Sequence, residues 1–116
     1  MKINPAIFRT YDIRGRVPKE LNTEIARRIG NAAAVFLSRK YRKRSLTFLV
    51  GSDVRTSSPI LKKALIEGII LQGSSVIDIG MVTTPLFYFA LDHYKNDGGV
   101  MVTPSHNPPE YNGLKI

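Results

Sequence analysis

Three short apolar runs, each long enough for one buried strand, constrain the fold of this chain more than any other feature. They cover Leu46–Val50, Val76–Ile79 and Gly99–Thr103, and a stretch with helical spacing separates each run from the next. Strands that alternate with helices favour a parallel sheet, because a helix supplies the crossover that a parallel pair needs. The pattern predicts strand, helix, strand, helix, strand, and therefore an α/β domain with right-handed crossovers.

Both separating helices begin with the same pair of residue types. Ser58 followed by Pro59, and Thr84 followed by Pro85, place a hydroxyl that can cap the helix before a proline that suits its first turn. Gly73 marks the end of the first helix. We therefore expect Ser58 and Thr84 to be the N-caps of the two helices.

Loops that follow the carboxyl ends of parallel strands are the usual place for chemistry in such a sheet. Two of these loops are rich in polar residues, Gly51–Ser58 and Thr103–Gly113, and a short strand is predicted after the second at Leu114–Ile116. The stretch Ile7–Gly15 is a third polar and basic candidate for the site. Because the chain stops just after a new strand begins, we expect it to be a piece of a longer protein.

One basic run supplies most of the positive charge. The formal net charge is +8, and without the five cations of Arg39–Arg44 it would be +3. The segment from about Asn22 to Ser38 has apolar residues at three- and four-residue spacing and is predicted to be an amphipathic helix. Cations at its end complement the helix dipole. A module that binds nucleic acid or another polyanion is the alternative function, but only Tyr41 interleaves the run, so we expect no nucleic-acid partner.

Composition excludes several classes of protein. The 116 residues suffice for one domain, and the absence of cysteine excludes a disulfide scaffold and a cysteine-based zinc site. No apolar run approaches the roughly 18 residues of a membrane-spanning helix. The N-terminus lacks the apolar block of a secretory signal. We expect a soluble cytoplasmic protein without a membrane partner.

Common nucleotide-binding and hydrolase motifs are absent from the sequence. There is no Gly-x-x-x-x-Gly-Lys-Ser/Thr loop, no Gly-x-Gly-x-x-Gly after a strand, and Ser105 is not in a Gly-x-Ser-x-Gly elbow. An unrelated hydrolase that uses Ser105 and His106 remains an alternative, and it would need an orienting acid elsewhere. His93 lies in the third predicted helix and is interpreted as a surface or helix-end histidine.

The loop after the third strand has the residue types of a group-transfer site. It places Ser105 directly beside His106 and stiffens the following stretch with Pro108 and Pro109. A hydroxyl nucleophile beside an imidazole suits group transfer, and Lys115 adds a cation that can assist a phosphoryl group or move a proton. From composition alone, an ordinary turn explains the same stretch about as well.

Three segments resemble signatures of one enzyme family. Thr103–Pro108 with Asn112–Lys115 is similar to the phosphoserine loop of the α-D-phosphohexomutases. Phe8–Gly15 resembles their N-terminal signature, and Gly51–Pro59 resembles their Gly-Arg-Asp-x-Arg-x-Ser-x-Pro segment. The segments occur in the family's order, and the similarity is strongest to the phosphomannomutase/phosphoglucomutase branch. Ser52 departs from the pattern, because the family usually has arginine there.

The resemblance implies that residues 1–116 are domain I of a four-domain enzyme, a three-layer α/β/α sandwich with a largely parallel sheet and a mixed edge. It implies an isomerase that interconverts hexose 1-phosphate and hexose 6-phosphate, of mannose or glucose, through a phosphoserine and a hexose 1,6-bisphosphate. Mg²⁺ would bridge the phosphoserine and an Asp-Gly-Asp-x-Asp-Arg loop that these residues lack. The remaining domains of the same polypeptide would be its partners, and the chain alone is expected to be inactive.

The resemblance also implies roles for individual residues. Ser105 matches the phosphoryl carrier, which would contact the metal through its phosphate. His106 and Lys115 match catalytic residues that assist proton transfer. The residues that match substrate contacts are Tyr11, Arg14, Asn107 and Lys115.

Overall fold

A mixed five-stranded sheet flanked by three α-helices forms the structure. The computed structural model describes residues 2–9, 12–94, 96–104 and 107–116. In chain order the elements are a short 3-10 helix (Pro5–Ile7), β1 (Ile13–Arg16), α1 (Thr23–Tyr41), β2 (Thr47–Ser52), α2 (Ser58–Gln72), β3 (Ser75–Met81), α3 (Thr84–Tyr94), β4 (Gly98–Val102) and β5 (Tyr111–Lys115).

The three central strands follow the predicted alternation. Strand β2 pairs in parallel with both β3 and β4, while α2 joins β2 to β3 and α3 joins β3 to β4. Strand β3 lies on one side of β2 in the sheet, and the next strand in the chain, β4, lies on the other side of β2. The α/β class and the order of strands and helices are therefore confirmed. This reversal makes the carboxyl ends of β2 and β4 the crevice where α/β sheets usually bind ligands.

The other two strands make one edge of the sheet antiparallel. The order across the sheet is β1-β5-β4-β2-β3, and β5 is antiparallel to both of its neighbours. This confirms the mixed edge. The end of Ile7–Gly15, the third candidate for the site, lies in β1 from Ile13 onward, and the loop predicted to reach Gly113 ends where β5 begins at Tyr111. Pairing between two short segments distant in sequence, and not their own apolar content, creates these strands.

Helices α1 and α2 cover one face of the sheet with a continuous apolar core. Fully buried side chains from three strands lie in it, namely Phe48, Val102 and Leu114. The two helices approach closely at Gly68, where an added Cβ would collide with the backbone carbonyl of Arg27. This face is the larger of the two apolar cores.

Helix α3 covers only part of the opposite face. Its buried residues Phe87 and Ala90 pack against Leu49 and Met101, and the other apolar residues of this cluster come from β3, α3 and the turn between them. Within the described residues this cluster includes no side chain from β1 or β5. The antiparallel edge therefore presents a sheet face that α3 does not cover.

The predicted N-caps are each wrong by one residue. Helix α2 begins at Ser58, and its N-cap Ser57 makes no side-chain capping bond. Helix α3 begins at Thr84, and the hydroxyl of Thr83 accepts a hydrogen bond from the first turn at 3.3 Å. The Ser58 hydroxyl instead donates to Oδ1 of Asp53 at 2.6 Å. A carboxylate is a charged and stronger acceptor, so it takes the hydroxyl that sequence assigns to the cap.

Helix α1 agrees with the interpretation of the basic run as a helix end. Asn22 is its N-cap, and Arg39 and Lys40 lie in its last turn. Lys43, just beyond the helix, forms an ion pair with Asp97 at 3.2 Å. Within the described ranges, no helix combines the length and the apolar composition that crossing a membrane requires.

Candidate functional site

The loops after β2 and β4 meet at the carboxyl edge of the sheet. Arg55 in the first loop donates hydrogen bonds from its guanidinium to the carbonyl oxygens of Pro108, at 2.7 Å, and of Asn107. The backbone N–H of Asp53 donates to the carbonyl of Val102, the last residue of β4, at 3.1 Å. The two polar loops noted in the sequence are therefore bonded to each other.

Asp53 fixes Arg55 in the orientation that this contact needs. Its Oδ1 accepts a hydrogen bond from the backbone N–H of Arg55 at 3.1 Å, and its Oδ2 lies 3.3 Å from Nε of the same residue. The two side chains are only 19% and 21% exposed. Low exposure limits screening by water, so the ion pair holds the guanidinium fork toward the loop.

A second arginine reaches the same loop from β1. Arg14 donates from one terminal nitrogen to Oδ1 of Asn107 at 2.7 Å and from Nε to Oδ2 of Asp12 at 2.8 Å. The carboxyl of Asp12 is 5% exposed, whereas Arg14 remains 27% exposed. The structure thus brings together two of the predicted substrate-binding residues, Arg14 and Asn107. Asn107 is held through its side chain by one arginine and through its carbonyl by another.

Lys115 lies on the same face of the sheet as Arg14. Ile13 and Leu114 are paired across β1 and β5, and both belong to the core beneath α1 and α2. Side chains alternate along a strand, so Arg14 and Lys115 project from the opposite face. Lys115 is paired with Met101 of β4, next to the part of this face that α3 covers, and is partly buried.

Arg16 also projects from this face but is bonded to a different partner. Its Nε donates to the hydroxyl of Tyr111 at 3.3 Å, and its guanidinium lies 5.5 Å from the centre of that ring. The hydrogen bond with Tyr111 raises the pKa of Arg16 further above its ordinary value, so this side chain stays cationic.

Ser105, His106 and Tyr11 lie outside the described residues. Ser105 and His106 are joined in sequence to Pro104 and Asn107, which the structure does describe. Thr103, two residues before Ser105, donates its backbone N–H to the carbonyl of Gly113 at 2.9 Å. The described backbone on both sides of this dipeptide is therefore hydrogen bonded to other elements.

An open depression of about 540 Å³ lies between the two loops. Its lining includes Asp53, Arg55 and Thr56 from the first loop and Thr103 and Pro109 from the second. With Arg14 and Lys115 on the neighbouring sheet face, the region is rich in fixed cations. Such an arrangement suits an anionic ligand, because guanidinium and ammonium groups bind phosphate and carboxylate oxygens.

The described residues do not form a metal site by themselves. They contain no group of three or more His, Asp or Glu side chains that could hold an ion. The two carboxylates beside the loop, Asp12 and Asp53, are each in an ion pair with an arginine. Mg²⁺ needs several oxygen ligands, so this pair does not suit it.

Sequence reasoning found the loop but missed how it is held. Asp12, Asp53 and Arg55 are not among the predicted site residues, although they lie in the segments Phe8–Gly15 and Gly51–Pro59. The signal was available as a repeated spacing, because both arginines follow an aspartate by two residues. His93 agrees with its interpretation, since it lies at the end of α3 with its ring stacked 6.0 Å from that of Phe89.

Comparison with known proteins identifies relatives of the whole chain. Residues 5–116 match the family model described as phosphoglucomutase/phosphomannomutase, alpha/beta/alpha domain I. A protein of Xanthomonas campestris named "Phosphohexose mutases" is 51% identical over 109 residues, which are 94% of this chain and 23% of that protein. The "Phosphomannomutase" of Escherichia coli K12 is 49% identical over 109 residues, again 94% of this chain and 23% of the relative.

Solved structures agree with this match. A phosphoglucomutase/phosphomannomutase family protein from Burkholderia thailandensis is 40% identical, with a TM-score of 0.85 over 97% of this chain and 26% of that one. A structure described as a putative phosphomannomutase from Thermus thermophilus is 34% identical, with a TM-score of 0.84 over 93% of this chain and 24% of that one. The chain thus spans about a quarter of the length of the proteins it matches.

Proposed function

This chain belongs to the phosphoglucomutase/phosphomannomutase family, in the part that forms its α/β/α domain I, and we propose that it carries the nucleophile loop of a hexose-phosphate mutase. The observation that supports this most directly is the double anchoring of Asn107. Arg14 binds its side chain and Arg55 binds its carbonyl, two residues after the candidate nucleophile Ser105. The bonding suits a loop that must hold a reacting group in one geometry.

The proposed reaction is two phosphoryl transfers through Ser105. In the first, the bond between phosphorus and Ser105 Oγ breaks, and a free hydroxyl oxygen of the hexose monophosphate bonds to phosphorus and loses its proton. In the second, Ser105 Oγ loses its proton and bonds to the other phosphorus of the resulting hexose 1,6-bisphosphate, while the bond between that phosphorus and the sugar oxygen breaks and the sugar oxygen takes up a proton. The products are the isomeric hexose monophosphate and phosphorylated Ser105, so the net reaction is an isomerisation.

Other residues of the chain have supporting roles in this proposal. Arg14 binds a phosphate of the substrate with the exposed part of its guanidinium, and Asn107 and Tyr11 line the same cleft. Lys115 and His106 hold or move the proton exchanged between the sugar hydroxyl and Ser105 Oγ. The placement of Arg14 and Lys115 on one uncovered sheet face supports this assignment.

Mg²⁺ would supply a cation for the transferring phosphoryl oxygens. The described residues lack a set of ligands for it, so we assign this chain only one metal contact, the phosphate on Ser105, and derive no step from the ion.

We further propose that residues 1–116 act with additional domains of the same polypeptide. The matched relatives are about four times as long. The cleft would then be completed by those domains, and the whole enzyme would work on mannose or glucose phosphates in the cytoplasm. The chain alone is expected to show no turnover with glucose 1-phosphate, glucose 1,6-bisphosphate and Mg²⁺. Sustained turnover by residues 1–116 would contradict this part.

The test of the nucleophile is phosphoryl labelling of Ser105. The full-length protein, incubated with glucose 1,6-bisphosphate carrying labelled phosphoryl groups, should take up label on the peptide that contains Ser105. Ser105→Ala should remove that label and lower turnover by at least about 10³-fold, because no other group is proposed to carry the phosphoryl group. Ser45→Ala, which alters an exposed serine distant in sequence, is the matched control. Equal labelling of Ser105→Ala and the control would refute the proposal.

A further inference from the structure

Beneath the nucleophile loop lies a chain of buried polar side chains that the proposed reaction does not use. Asn112 of β5 and Ser58 of α2 are both fully buried. Nδ2 of Asn112 donates to the hydroxyl of Ser57 at 2.7 Å and to that of Ser58 at 3.0 Å. The Ser58 hydroxyl in turn donates to Oδ1 of Asp53 at 2.6 Å. The carboxylate receiving this bond is the one that orients Arg55.

We infer that Ser58 and Asn112 are positioning residues for the nucleophile loop, an inference that rests on the proposed function. The amide of Asn112 donates to the hydroxyl of Ser58, and that hydroxyl donates to the carboxylate of Asp53. The carboxylate is ion-paired with the guanidinium of Arg55, which donates to the carbonyl oxygens of the loop. Each donor polarises the next group, and Asn112 and Ser58 are shielded from water. Loss of one buried member leaves its neighbours unsatisfied.

We call the hydrogen-bonded series from Asn112 through Ser58 and Asp53 to Arg55 the relay. Asn112 also connects this relay to the backbone of β5, the strand that follows the loop. Its Oδ1 accepts a hydrogen bond from the backbone N–H of Gly113 at 2.8 Å, and the carbonyl of Gly113 accepts from Thr103. The relay is therefore bonded to Thr103, two residues before Ser105, and, through Arg55, to Asn107, the residue after His106. A single buried group below the loop constrains both of its ends.

The sequence explains why Ser58 is available for this role. A serine at the start of a helix ordinarily caps it. Here neither Ser57 nor Ser58 is used as a side-chain cap, and both hydroxyls are bonded to Asn112. The helix N-terminus thus gives up a capping bond while the loop gains an anchor.

Ser58→Ala in the full-length protein tests the inference, with Ser52→Ala as the matched control. Ser52 is a serine of similar burial, 1% exposed, whose hydroxyl has no hydrogen-bond partner within the described residues. Hydrogen exchange of the peptide covering residues 103–112 should be about fivefold faster in Ser58→Ala and unchanged in Ser52→Ala, because only the first loosens the loop. Exchange that is the same in both variants would overturn the inference, whatever the activity. If Ser58→Ala does not fold, Ser58→Cys keeps the volume with a weaker donor and takes its place.

Kinetics separate a positioning role from a purely structural one. We expect kcat of Ser58→Ala to fall about tenfold with KM within about twofold, because the reacting geometry changes and the substrate contacts do not. Combining Ser58→Ala with Arg55→Ala should cost less kcat than the product of the two single losses, since part of the hydroxyl's effect passes through that arginine. Losses that multiply would overturn the inference. A wild-type protein without mutase activity, but with the loop loosened by Ser58→Ala, would refute the proposed function and support the positioning role.

Discussion

The two faces of the sheet differ in how completely helices cover them. Beneath α1 and α2, buried apolar side chains from four of the five strands form one continuous core. On the opposite face α3 buries a much smaller cluster, and β1 and β5 present Arg14, Arg16 and Lys115. The same two strands therefore contribute apolar residues to the covered face and cations to the other.

This difference assigns stability and chemistry to opposite sides of one sheet. Alternation along a strand lets Ile13 and Leu114 anchor β1 and β5 in the core while their neighbours stay accessible. A change on the covered face should alter the free energy of unfolding, and a change on the uncovered face should alter the reaction. Two substitutions, each with a matched control, test this division.

The largest effect is expected from Gly68→Ala on the covered face. Alanine favours a helix over glycine by about 1 kcal/mol, so without a clash the variant would be more stable. The new Cβ would meet the carbonyl oxygen of Arg27, and α1 and α2 would have to separate. We expect a net loss of about 3 kcal/mol in the free energy of unfolding, measured by urea denaturation.

Gly73→Ala is the matched control for that measurement. Gly73 has a φ of +107° and no atom near its hypothetical Cβ, so its cost comes from backbone strain alone, about 1 kcal/mol. If Gly68→Ala proved as mild as Gly73→Ala, close contact between the two helices would not control the stability of the covered face.

A smaller effect, on activity, is expected from Arg14→Ala, which also costs stability because the carboxyl of Asp12, 5% exposed, loses its ion-pair partner. The variant loses the bond to Asn107 and the cation proposed for the substrate phosphate, so kcat/KM should fall about 30-fold, or about 2 kcal/mol. Arg16→Ala removes the same charge from the same face, but its partner is Tyr111, so it should change kcat/KM less than about threefold. Equal losses in the two variants would mean that the overall charge, and not the bond to the loop, matters.

The central fold was predictable because its signals are local. Strands β2, β3 and β4 are short apolar runs bounded by turn residues, and proline at the second position of α2 and α3 indicates where each helix starts. Strands β1 and β5 carry few apolar residues, and they exist because Ile13–Arg16 pairs with Tyr111–Leu114, about a hundred residues away. The residues of β1 and β5 alone do not encode that pairing, so only the resemblance pointed to a mixed edge.

The sequence singles out two residues that the structure brings together, but most of the bonds around them could not be predicted. Loop residues stand out by chemistry, and Arg14 and Asn107 are indeed bonded to each other. The hydrogen bonds of the relay could not be predicted, because Asn112, Ser58 and Asp53 are residue types that ordinarily occur in turns and helix caps. Ser58 is a good N-cap by propensity, and only the position of Asp53 decides where its hydroxyl donates. A choice between two acceptors depends on tertiary geometry, which sequence spacing does not specify.

The smallest effect is expected from Asp97→Ala. Asp97 directly precedes β4 and lies on neither of the two sheet faces compared above. A hydrogen bond from the backbone N–H of Thr47, at 2.8 Å, and then the ion pair with Lys43 lower the pKa of Asp97 below its ordinary value of 3.8. A carboxyl whose pKa is lower in the folded state than in the unfolded state stabilises the folded state at pH values above its unfolded-state pKa. This contribution is lost as the pH falls through the folded-state pKa.

Asp97→Ala should therefore cost about 1 kcal/mol of unfolding free energy at neutral pH, and the difference from wild type should shrink below about pH 4. Asp92→Ala, which removes an exposed carboxyl of α3, is the control at neutral pH and should cost less unfolding free energy than Asp97→Ala. Because the backbone bond is the larger cause, about 1 M salt should remove only the smaller part due to Lys43; complete loss in salt would mean that the ion pair dominates.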